Sequence, residues 1–307
     1  NQENKVETKT EQQKQTTKNF TLKKIKKVNE FARKALVNIL CNTKGNSLSP
    51  ISGTGVFINP KGIILTNAHI GQYFLLKDFK EKDNVSCVVR VGSPAQPTYN
   101  VELMYISPNW VKDNRSVLKS YNPTGTGEND FAFLRVTGTI NGDKLPENFP
   151  YVVPNIREYI EKKEPVLLVS YPAGFLGGQS ILQNLNIASS ITEIQDYFTF
   201  KGPTIDLLSV GGTIVSQKGS SGGAVVDKFV SLLGIISTSS NGDTTSQREL
   251  RAITLAHINR ALQIEIGITL EKFLDQDPEK FAKTFASTTA PLLTKIISDE
   301  LTNGKPY

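Results

Sequence analysis

A glycine-rich segment presents a serine in a form suited to nucleophilic catalysis. Residues 219–223 read Gly-Ser-Ser-Gly-Gly and precede the apolar run Ala-Val-Val. A turn of this kind ahead of a strand can expose a hydroxyl together with backbone N–H groups that stabilise an oxyanion. Ser/Gly clusters are also common in loops that have no chemical role. The segment therefore predicts a nucleophile only if a base and an acid are found elsewhere in the chain.

Two further segments supply a candidate base and a candidate acid. The stretch 53–65 has two apolar runs around Asn-Pro-Lys-Gly, which predicts a β-hairpin, and His69 follows its second strand. Asp130 precedes Phe-Ala-Phe-Leu-Arg-Val, an alternating pattern typical of a strand. A histidine can act as general base when a carboxylate orients it. His69 and Asp130 therefore complete a possible triad with a serine of residues 219–223.

Each of these positions has a rival in the sequence. The second histidine, His257, lies between an apolar strand and a helix start, a place typical of surface or capping residues. Asp113 precedes no comparable strand. The residues alone do not distinguish Ser220 from Ser221 as the nucleophile. The pattern therefore favours the first histidine and the later aspartate, and leaves the serine open.

Taken together, the three segments resemble the chymotrypsin-like (trypsin-fold) serine protease superfamily. Thr-x-Ala-His, Asp-Phe-Ala-Phe-Leu and Gly-x-Ser-Gly-Gly occur in this order. The order His, Asp, Ser differs from that of subtilisin-type enzymes and α/β-hydrolases. The chain is most similar to the bacterial trypsin-like peptidases that include the HtrA/Deg proteases, over about residues 36–264. The resemblance implies a serine endopeptidase with a polypeptide substrate.

The resemblance also implies a role for each residue of the site. Asp130 would orient His69, and His69 would take the proton of the Ser221 hydroxyl. Ser221 is favoured over Ser220 because it directly precedes Gly-Gly. The backbone N–H groups of Gly219 and Ser221 would form the oxyanion hole.

Substrate-binding residues follow from the same resemblance. Val215, six residues before the serine, would lie at the base of the S1 pocket. An apolar base favours small or medium apolar residues at P1, because a buried Lys or Arg would lack a partner. Ser237, Thr238 and Ser239 would form the edge that pairs with the substrate backbone. No cofactor is implied, and the sequence has no Cys/His spacing typical of a metal site.

The implied fold is all-β, with two six-stranded antiparallel β-barrels of the chymotrypsin-like type and flanking N- and C-terminal helices. We expect a disordered basic tether (1–20), an amphipathic helix with the first barrel (21–150), the second barrel with its closing helix (151–265) and a C-terminal helical extension (266–307). The extension is too short for the PDZ module of HtrA-type proteases, so their trimeric assembly and regulated activation are not implied. Its helices are expected to pack on the barrels, with coverage of the cleft as the alternative.

The net charge does not indicate nucleic acid binding. The formal charge of the 307 residues is +6, and residues 1–34, rich in lysine, account for the whole excess. The barrels are therefore neutral, and no basic groove is predicted. Residues 1–18 contain almost no apolar side chains, as is typical of disordered segments. Apolar residues at helical spacing in 21–35 predict a helix packed on the first barrel, with a membrane-surface helix as the alternative.

Two features favour an extracytoplasmic location, which would be periplasmic, at the cell surface or secreted. The sequence starts at Asn1, and we expect an export signal or membrane tether upstream of it. Cys41 and Cys87 both fall in the first predicted barrel, and a disulfide between them would suit an oxidising compartment. Two buried thiols are the alternative. No apolar run has the length of a membrane-spanning helix.

Two other functions are considered. A catalytically silent trypsin-fold protein that binds peptides or proteins would keep the same residues by descent, although an intact triad with Gly219 favours catalysis. An esterase of the α/β-hydrolase type is disfavoured by the triad order and by the lack of a Gly-x-Ser-x-Gly elbow between strand and helix. The sequence does not indicate the oligomeric state, the substrate or a zymogen step.

Overall fold

The fold consists of two β-sheets in chain order, with helices before and after them. The structure is a computed structural model, and it describes residues 24–45, 48–119, 126–239, 244 and 249–303, without the side chains of Thr238 and Ser239. The predicted tether, residues 1–20, lies outside these residues. No helix in the described part of the chain combines the length and apolar character that crossing a bilayer requires.

Six antiparallel strands close into a barrel in the first half of the chain. They are β1 (Leu36–Thr43), β2 (Ile51–Phe57), β3 (Ile63–Thr66), β4 (Val85–Val91), β5 (Gln96–Ile106) and β6 (Ala132–Thr139). The order around the barrel is β1-β2-β3-β6-β5-β4, and β1 closes it by pairing with both β2 and β4. The strands are rich in Val, Ile, Leu and Phe, which pack well on a pleated surface. Cys41 of β1 forms a disulfide with Cys87 of β4.

The second half of the chain folds into a curled, mainly antiparallel sheet. Its strands are β7 (Val153–Pro154), β8 (Pro165–Ser170), β9 (Ala188–Glu193), β10 (Asp196–Phe198), β11 (Leu207–Gly211), β12 (Ala224–Val226), β13 (Ser231–Ser239) and β14 (Leu250–Thr254). Their order is β10-β11-β14-β13-β12-β8-β9, with β7 beside β13. The Thr192 hydroxyl of β9, at one end of the sheet, donates at 3.0 Å to the Val210 carbonyl of β11, which lies next to the other end. The predicted chymotrypsin-like double barrel is confirmed, with its second half formed by this curled sheet.

Strand β8 joins the two halves of the chain. Val166 and Leu168 lie in the core of the second sheet, whereas Leu167 and Val169 belong to the larger cluster that includes the first barrel. Successive side chains of a strand point to opposite faces, so β8 is buried on both sides. The halves therefore share an apolar interface.

Helices before and between the strands complete this framework. Residues 24–35 form α1, whose Val28, Ala32 and Ala35 are buried while its lysines are exposed. The guanidinium of Arg33 donates to the Ile187 carbonyl and to the Ser189 hydroxyl, both at 3.1 Å. Three short helices follow between strands: α2 (Ala68–Leu75), α3 (Pro108–Asp113) and α4 (Gly178–Gln183). α1 therefore makes these polar contacts with the second half of the chain.

Within the described residues four helices follow the last strand, of which two pack on strands of the first barrel and the last packs on α2 and α3. They are α5 (Leu255–Ile266), α6 (Leu270–Asp275), α7 (Pro278–Thr288) and α8 (Ala290–Asn303). The ring of Phe273 in α6 lies 4.6 Å from Phe133 of β6, and that of Phe285 in α7 lies 5.5 Å from Tyr105 of β5. The Thr294 hydroxyl of α8 donates at 3.0 Å to the carbonyl of the last residue of α2. The extension therefore contacts the barrel and the end of α2.

We expect Phe273→Ala to lower the free energy of unfolding by about 3–5 kcal/mol, because the ring is fully buried and its removal leaves a cavity. Urea denaturation followed by circular dichroism measures the change. Phe229→Ala is the matched control, since that ring is 66% exposed, and it should cost less than about 1 kcal/mol. Equal, small losses in both variants would argue against the packing of α6 on the barrel.

Candidate active site

His69 and Asp130 are in direct contact. His69 is the second residue of α2, which follows β3, and Asp130 precedes β6, which pairs with β3. The His69 backbone N–H donates to Asp130 Oδ1 at 2.9 Å, and Nδ1 of the ring faces Oδ2 at 2.8 Å. A carboxylate only accepts hydrogen bonds, so Nδ1 carries the proton and Nε2 is the basic nitrogen. Nε2 has no hydrogen-bond partner among the described residues. This is the arrangement of a general base and its orienting acid.

The carboxylate of Asp130 has a third donor that the sequence did not reveal. Asp130 is only 4% exposed, and a buried carboxylate needs several donors. The Ser237 hydroxyl of β13 donates to Oδ2 at 2.7 Å, and the side-chain amide of Asn67 donates to the Asp130 carbonyl at 2.9 Å. Ser237 was predicted only as part of the substrate-binding edge. The structure assigns it a contact with the acid as well.

The neighbouring serines of the glycine-rich loop lie in different environments. Ser220 is 1% exposed, and its hydroxyl accepts a hydrogen bond from Ser170 at 3.0 Å. Ser221 is half-buried, and within the described structure its hydroxyl has no hydrogen-bond partner, His69 Nε2 included. In unliganded enzymes such catalytic contacts often tighten only when substrate binds. The environment favours Ser221 over Ser220 as the nucleophile.

Strand β2 brings the serine loop close to the helix that carries the histidine. The Thr54 N–H donates to the Ser221 carbonyl at 2.8 Å. A Cβ atom added to Gly53 would lie 2.2 Å from Ile70 Cδ1 and 3.7 Å from the Ser221 carbonyl oxygen. Gly53 therefore lies between the residue after His69 and the serine loop, and its lack of a side chain permits this approach.

The N–H of Gly219 is held away from the protein's own acceptors. The Lys218 carbonyl accepts a hydrogen bond from the Ala173 N–H at 2.7 Å. In a trans peptide the N–H points opposite to the carbonyl, so the Gly219 N–H points away from Ala173. It has no acceptor among the described residues, although Gly219 is buried. Its φ of +92° and the 2.7 Å between an added Cβ and the Tyr171 carbonyl leave room only for glycine.

The N–H of Ser221 is oriented in the same way. The Ser220 carbonyl accepts from the Gly223 N–H at 2.8 Å, so the Ser221 N–H points in the opposite direction. It too lacks an acceptor in the described part of the chain. Unpaired N–H groups beside a candidate nucleophile are what an oxyanion hole requires.

The predicted substrate-binding residues are in two places. Val215 is fully buried in the core of the second sheet, and its role at the base of S1 stays a prediction. Thr238 and Ser239 pair with β14 on one edge of β13, whereas the pairing of β12 on the other edge ends at Ile235. On that side the Ile236 N–H still donates to the Gly223 carbonyl at 2.8 Å, and its carbonyl accepts from the Gly222 N–H at 2.7 Å. Beyond Ile236, no strand in the described part of the chain pairs with that edge. This leaves an edge that an extended peptide can join.

The second histidine is buried, not on the surface. His257 is 9% exposed, and its Nδ1 faces Asp206 Oδ1 at 3.1 Å. Its Nε2 faces Oδ1 of Asn129 at 3.2 Å. Asn129 directly precedes Asp130 and has a φ of +58°, in the left-handed region. His257 therefore contacts the turn that presents the candidate acid, which its position in the sequence did not indicate.

Comparison with known proteins gives a family match and several structural neighbours. Residues 53–235 match the family model described as trypsin-like peptidase domain. No curated protein matches the chain. The solved structure of Deg5 aligns with a TM-score of 0.52 and 13% identity, over 81% of this chain and 98% of Deg5. This likeness supports the double-barrel fold.

Two further structural neighbours are proteases. The active form of the Rv3671c protease from M. tuberculosis aligns with a TM-score of 0.48 and 19% identity, over 79% of this chain and 85% of that one. A serine endoprotease from Yersinia pestis aligns with a TM-score of 0.49 and 19% identity, over 78% of this chain and 65% of that one.

We expect Gly222→Ala to lower labelling of the protein by a fluorophosphonate about 100-fold or more, because the serine loop must move. An added Cβ would lie 1.9 Å from the Thr54 carbonyl oxygen, and Gly222 has a φ of +82°. Gly142→Ala is the matched control, since its φ is +79° but nothing lies within 4 Å of the added atom. Unchanged labelling of Gly222→Ala, measured by gel fluorescence, would contradict this close contact.

We expect the stability of the protein to fall below about pH 4, with Asp206 as one cause. Burial alone would raise the pKa of Asp206, but hydrogen bonds from His257, the Phe200 N–H and Arg260 outweigh it and hold the pKa well below its usual range. A carboxyl with a lowered pKa stabilises the fold above its unfolded-state pKa, and this stabilisation is lost as pH falls toward the folded-state value.

Chemical denaturation at several pH values between 7 and 2.5 tests this dependence. Asp206→Asn should be less stable than the wild type at pH 7 and should lose less stability on acidification. Asp299→Asn, which changes an exposed carboxylate of α8, should follow the wild-type curve. Parallel curves for the wild type and Asp206→Asn would rule out the role of Asp206.

Proposed function

The chain belongs to the trypsin-like peptidase domain family, and from this we propose that it is a serine endopeptidase acting through His69, Asp130 and Ser221. The observation that carries the proposal is the contact between His69 Nδ1 and Asp130 Oδ2 at 2.8 Å. It fixes the histidine in the tautomer whose free nitrogen can take a proton. Ser221 is half-buried, and its loop contacts strand β2. The helix that carries His69 contacts the same strand at Gly53.

The first step is acylation of the serine. The Ser221 hydroxyl attacks the carbonyl carbon of a peptide bond while His69 Nε2 takes its proton. Asp130 stabilises the imidazolium that forms, and its remaining donors, the His69 N–H and the Ser237 hydroxyl, keep the carboxylate in place. The imidazolium then donates its proton to the amine of the leaving group. In the second step a water molecule, deprotonated by His69, hydrolyses the acyl-enzyme.

The charge that develops on the carbonyl oxygen is stabilised by the N–H groups of Gly219 and Ser221. Both N–H groups are oriented before substrate binds, so little reorganisation is needed when the charge appears. A single donor of this kind contributes about 2.7–4 kcal/mol to transition-state stabilisation.

Substrate binds as an extended segment along the edge of β13 at residues 237–239, with a small or medium apolar residue at P1. The support for this preference is the apolar side chain of Val215, which belongs to the same buried cluster as Leu208, Val210 and Ile236. A cationic P1 side chain would have no carboxylate partner there. Cleavage of a peptide library followed by mass spectrometry tests the preference, and a majority of cleavages after Lys or Arg would contradict it.

The proposed location is outside the cytoplasm, in a bacterial cell envelope. The Cys41–Cys87 disulfide supports this, since disulfides persist in oxidising compartments. Alkylation of free thiols in protein taken directly from its native cells tests the location. Quantitative modification of both cysteines before reduction would argue against it.

We expect Ser221→Ala and His69→Ala to lose fluorophosphonate labelling and to lower kcat/KM for peptide substrates by about 10⁴–10⁶. Ser220→Ala is the matched control, because it removes the same hydroxyl from the adjacent, buried serine, and it should keep most of the labelling. Labelling is measured by gel fluorescence and the modified residue is identified by mass spectrometry. A folded wild-type protein that is not labelled would refute the proposal, and a role in peptide binding would then be favoured.

A further inference from the structure

We propose that Thr54, in the middle of β2, is the positioning residue that holds the serine loop in its reactive conformation. The inference rests on the proposed function, because the loop is the one that carries Ser221. Thr54 itself takes no part in bond making. It belongs to the first half of the chain, whereas the loop belongs to the second, so its contacts cross the interface between the halves.

The sequence Gly-Thr-Gly directs the Thr54 side chain toward the loop. An added Cβ would lie 2.2 Å from Ile70 Cδ1 at Gly53 and 2.7 Å from Ile64 Cγ2 at Gly55, so both glycines face side chains of the first half. Alternate residues of a strand point to opposite faces, and Thr54 therefore points the other way. Its side chain is fully buried there.

Every polar atom of Thr54 is used in a hydrogen bond. Its N–H donates to the Ser221 carbonyl at 2.8 Å. Its hydroxyl donates to the Gly219 carbonyl at 2.7 Å and accepts from the Tyr171 N–H at 3.0 Å. Its carbonyl accepts from the Thr66 hydroxyl at 2.7 Å. Two of these contacts therefore hold the two residues whose N–H groups form the proposed oxyanion hole.

Four successive peptide planes of the loop are fixed by hydrogen bonds to their carbonyls. Thr54 holds the planes that contain the Gly219 and Ser221 carbonyls, while Ala173 and Gly223 hold the two planes that contain the Lys218 and Ser220 carbonyls. The plane of the Lys218 carbonyl contains the Gly219 N–H, and the plane of the Ser220 carbonyl contains the Ser221 N–H. Each of these two planes is next to a plane that Thr54 holds. A change in the backbone angles between these planes must break at least one of these four hydrogen bonds, and Thr54 makes two of them.

The hydroxyl is the part of Thr54 that a substitution can test. It must donate to the Gly219 carbonyl and accept from the Tyr171 N–H at the same time, which a hydroxyl can do and a methyl group cannot. Thr54→Val therefore leaves both backbone groups without partners while keeping the shape of the side chain. Thr54→Ser keeps both contacts and loses only a methyl group.

The experiment compares Thr54→Val, Thr54→Ala and Thr54→Ser with the wild type. Thr192→Val is the matched control, because the Thr192 hydroxyl also donates to a backbone carbonyl, at 3.0 Å, but lies in β9. The first readout is hydrogen exchange by mass spectrometry of peptides that cover residues 217–223. The second is the rate of fluorophosphonate labelling, with kcat and KM for a peptide substrate. All measurements are made at a temperature well below the thermal unfolding midpoint of every variant.

We expect exchange in 217–223 to become at least about 10-fold faster in Thr54→Val and Thr54→Ala, since the amides of Ser220, Gly222 and Gly223 depend on the loop conformation. Labelling and kcat should fall about 100-fold, with KM changed less than about 3-fold, because the loss is one of geometry in the reacting group. Thr54→Ser and Thr192→Val should behave like the wild type in both readouts. If Thr54→Val does not fold, Thr54→Ala gives the same test, because it also removes the hydroxyl.

The two readouts separate this inference from the proposed function. Unchanged exchange in Thr54→Val and Thr54→Ala, or a Thr54→Ser variant as impaired as Thr54→Val, would overturn the role of Thr54. Equal effects of Thr192→Val on kcat would overturn it too, since the loss would then be structural and general. A wild-type protein that does not react with the fluorophosphonate would refute the proposed function, and hydrogen exchange would still decide whether Thr54 holds the loop.

Discussion

The arrangement of the site depends on the need to compensate a buried carboxylate. Asp130 is 4% exposed, and an uncompensated charge at that depth would cost several kcal/mol. Its donors come from two elements, His69 of α2 in the first half and Ser237 of β13 in the second. The carboxylate therefore has all three of its donors only when the two halves are docked. The same contacts that compensate its charge also orient the ring of His69.

Other polar contacts tie the halves together around the carboxylate. His257 of α5 contacts Asn129, the residue before the acid, and Thr54 of β2 holds the loop that contains Ser221. The C-terminal helices add a further support, because Thr294 of α8 caps the end of α2. The candidate catalytic groups thus lie on loops and on one helix end, and long-range contacts between rigid elements hold them in place.

The residues of the site that belong to short sequence motifs could be predicted from the sequence. The contacts that form between segments far apart in the chain could not. His69 and Asp130 each stand beside a strand with a recognisable pattern, and the structure brings them together across 61 residues. The contact of Ser237 with Asp130 and the burial of His257 depend on how the two sheets dock, and no spacing in the sequence reports docking. The sequence likewise indicates only a strand residue at Thr54, because its contacts with the serine loop also depend on how the two sheets dock. The double-barrel fold was predictable because the three motifs resemble those of the trypsin-fold proteases, and the resemblance implies that fold.

The hydrogen bonds of the serine loop distinguish a prepared site from an ordinary turn. The carbonyls of residues 218–221 are all paired, as are the N–H groups of Ser220, Gly222 and Gly223. Within residues 219–223 as described, the N–H groups of Gly219 and Ser221 are the exceptions. Unpaired N–H groups are unfavourable in a folded protein, and a loop fixed at so many neighbouring points cannot turn them toward another acceptor. An oxyanion that forms only in the transition state would pair with both, which is how a loop can lower an activation barrier without binding the substrate more tightly.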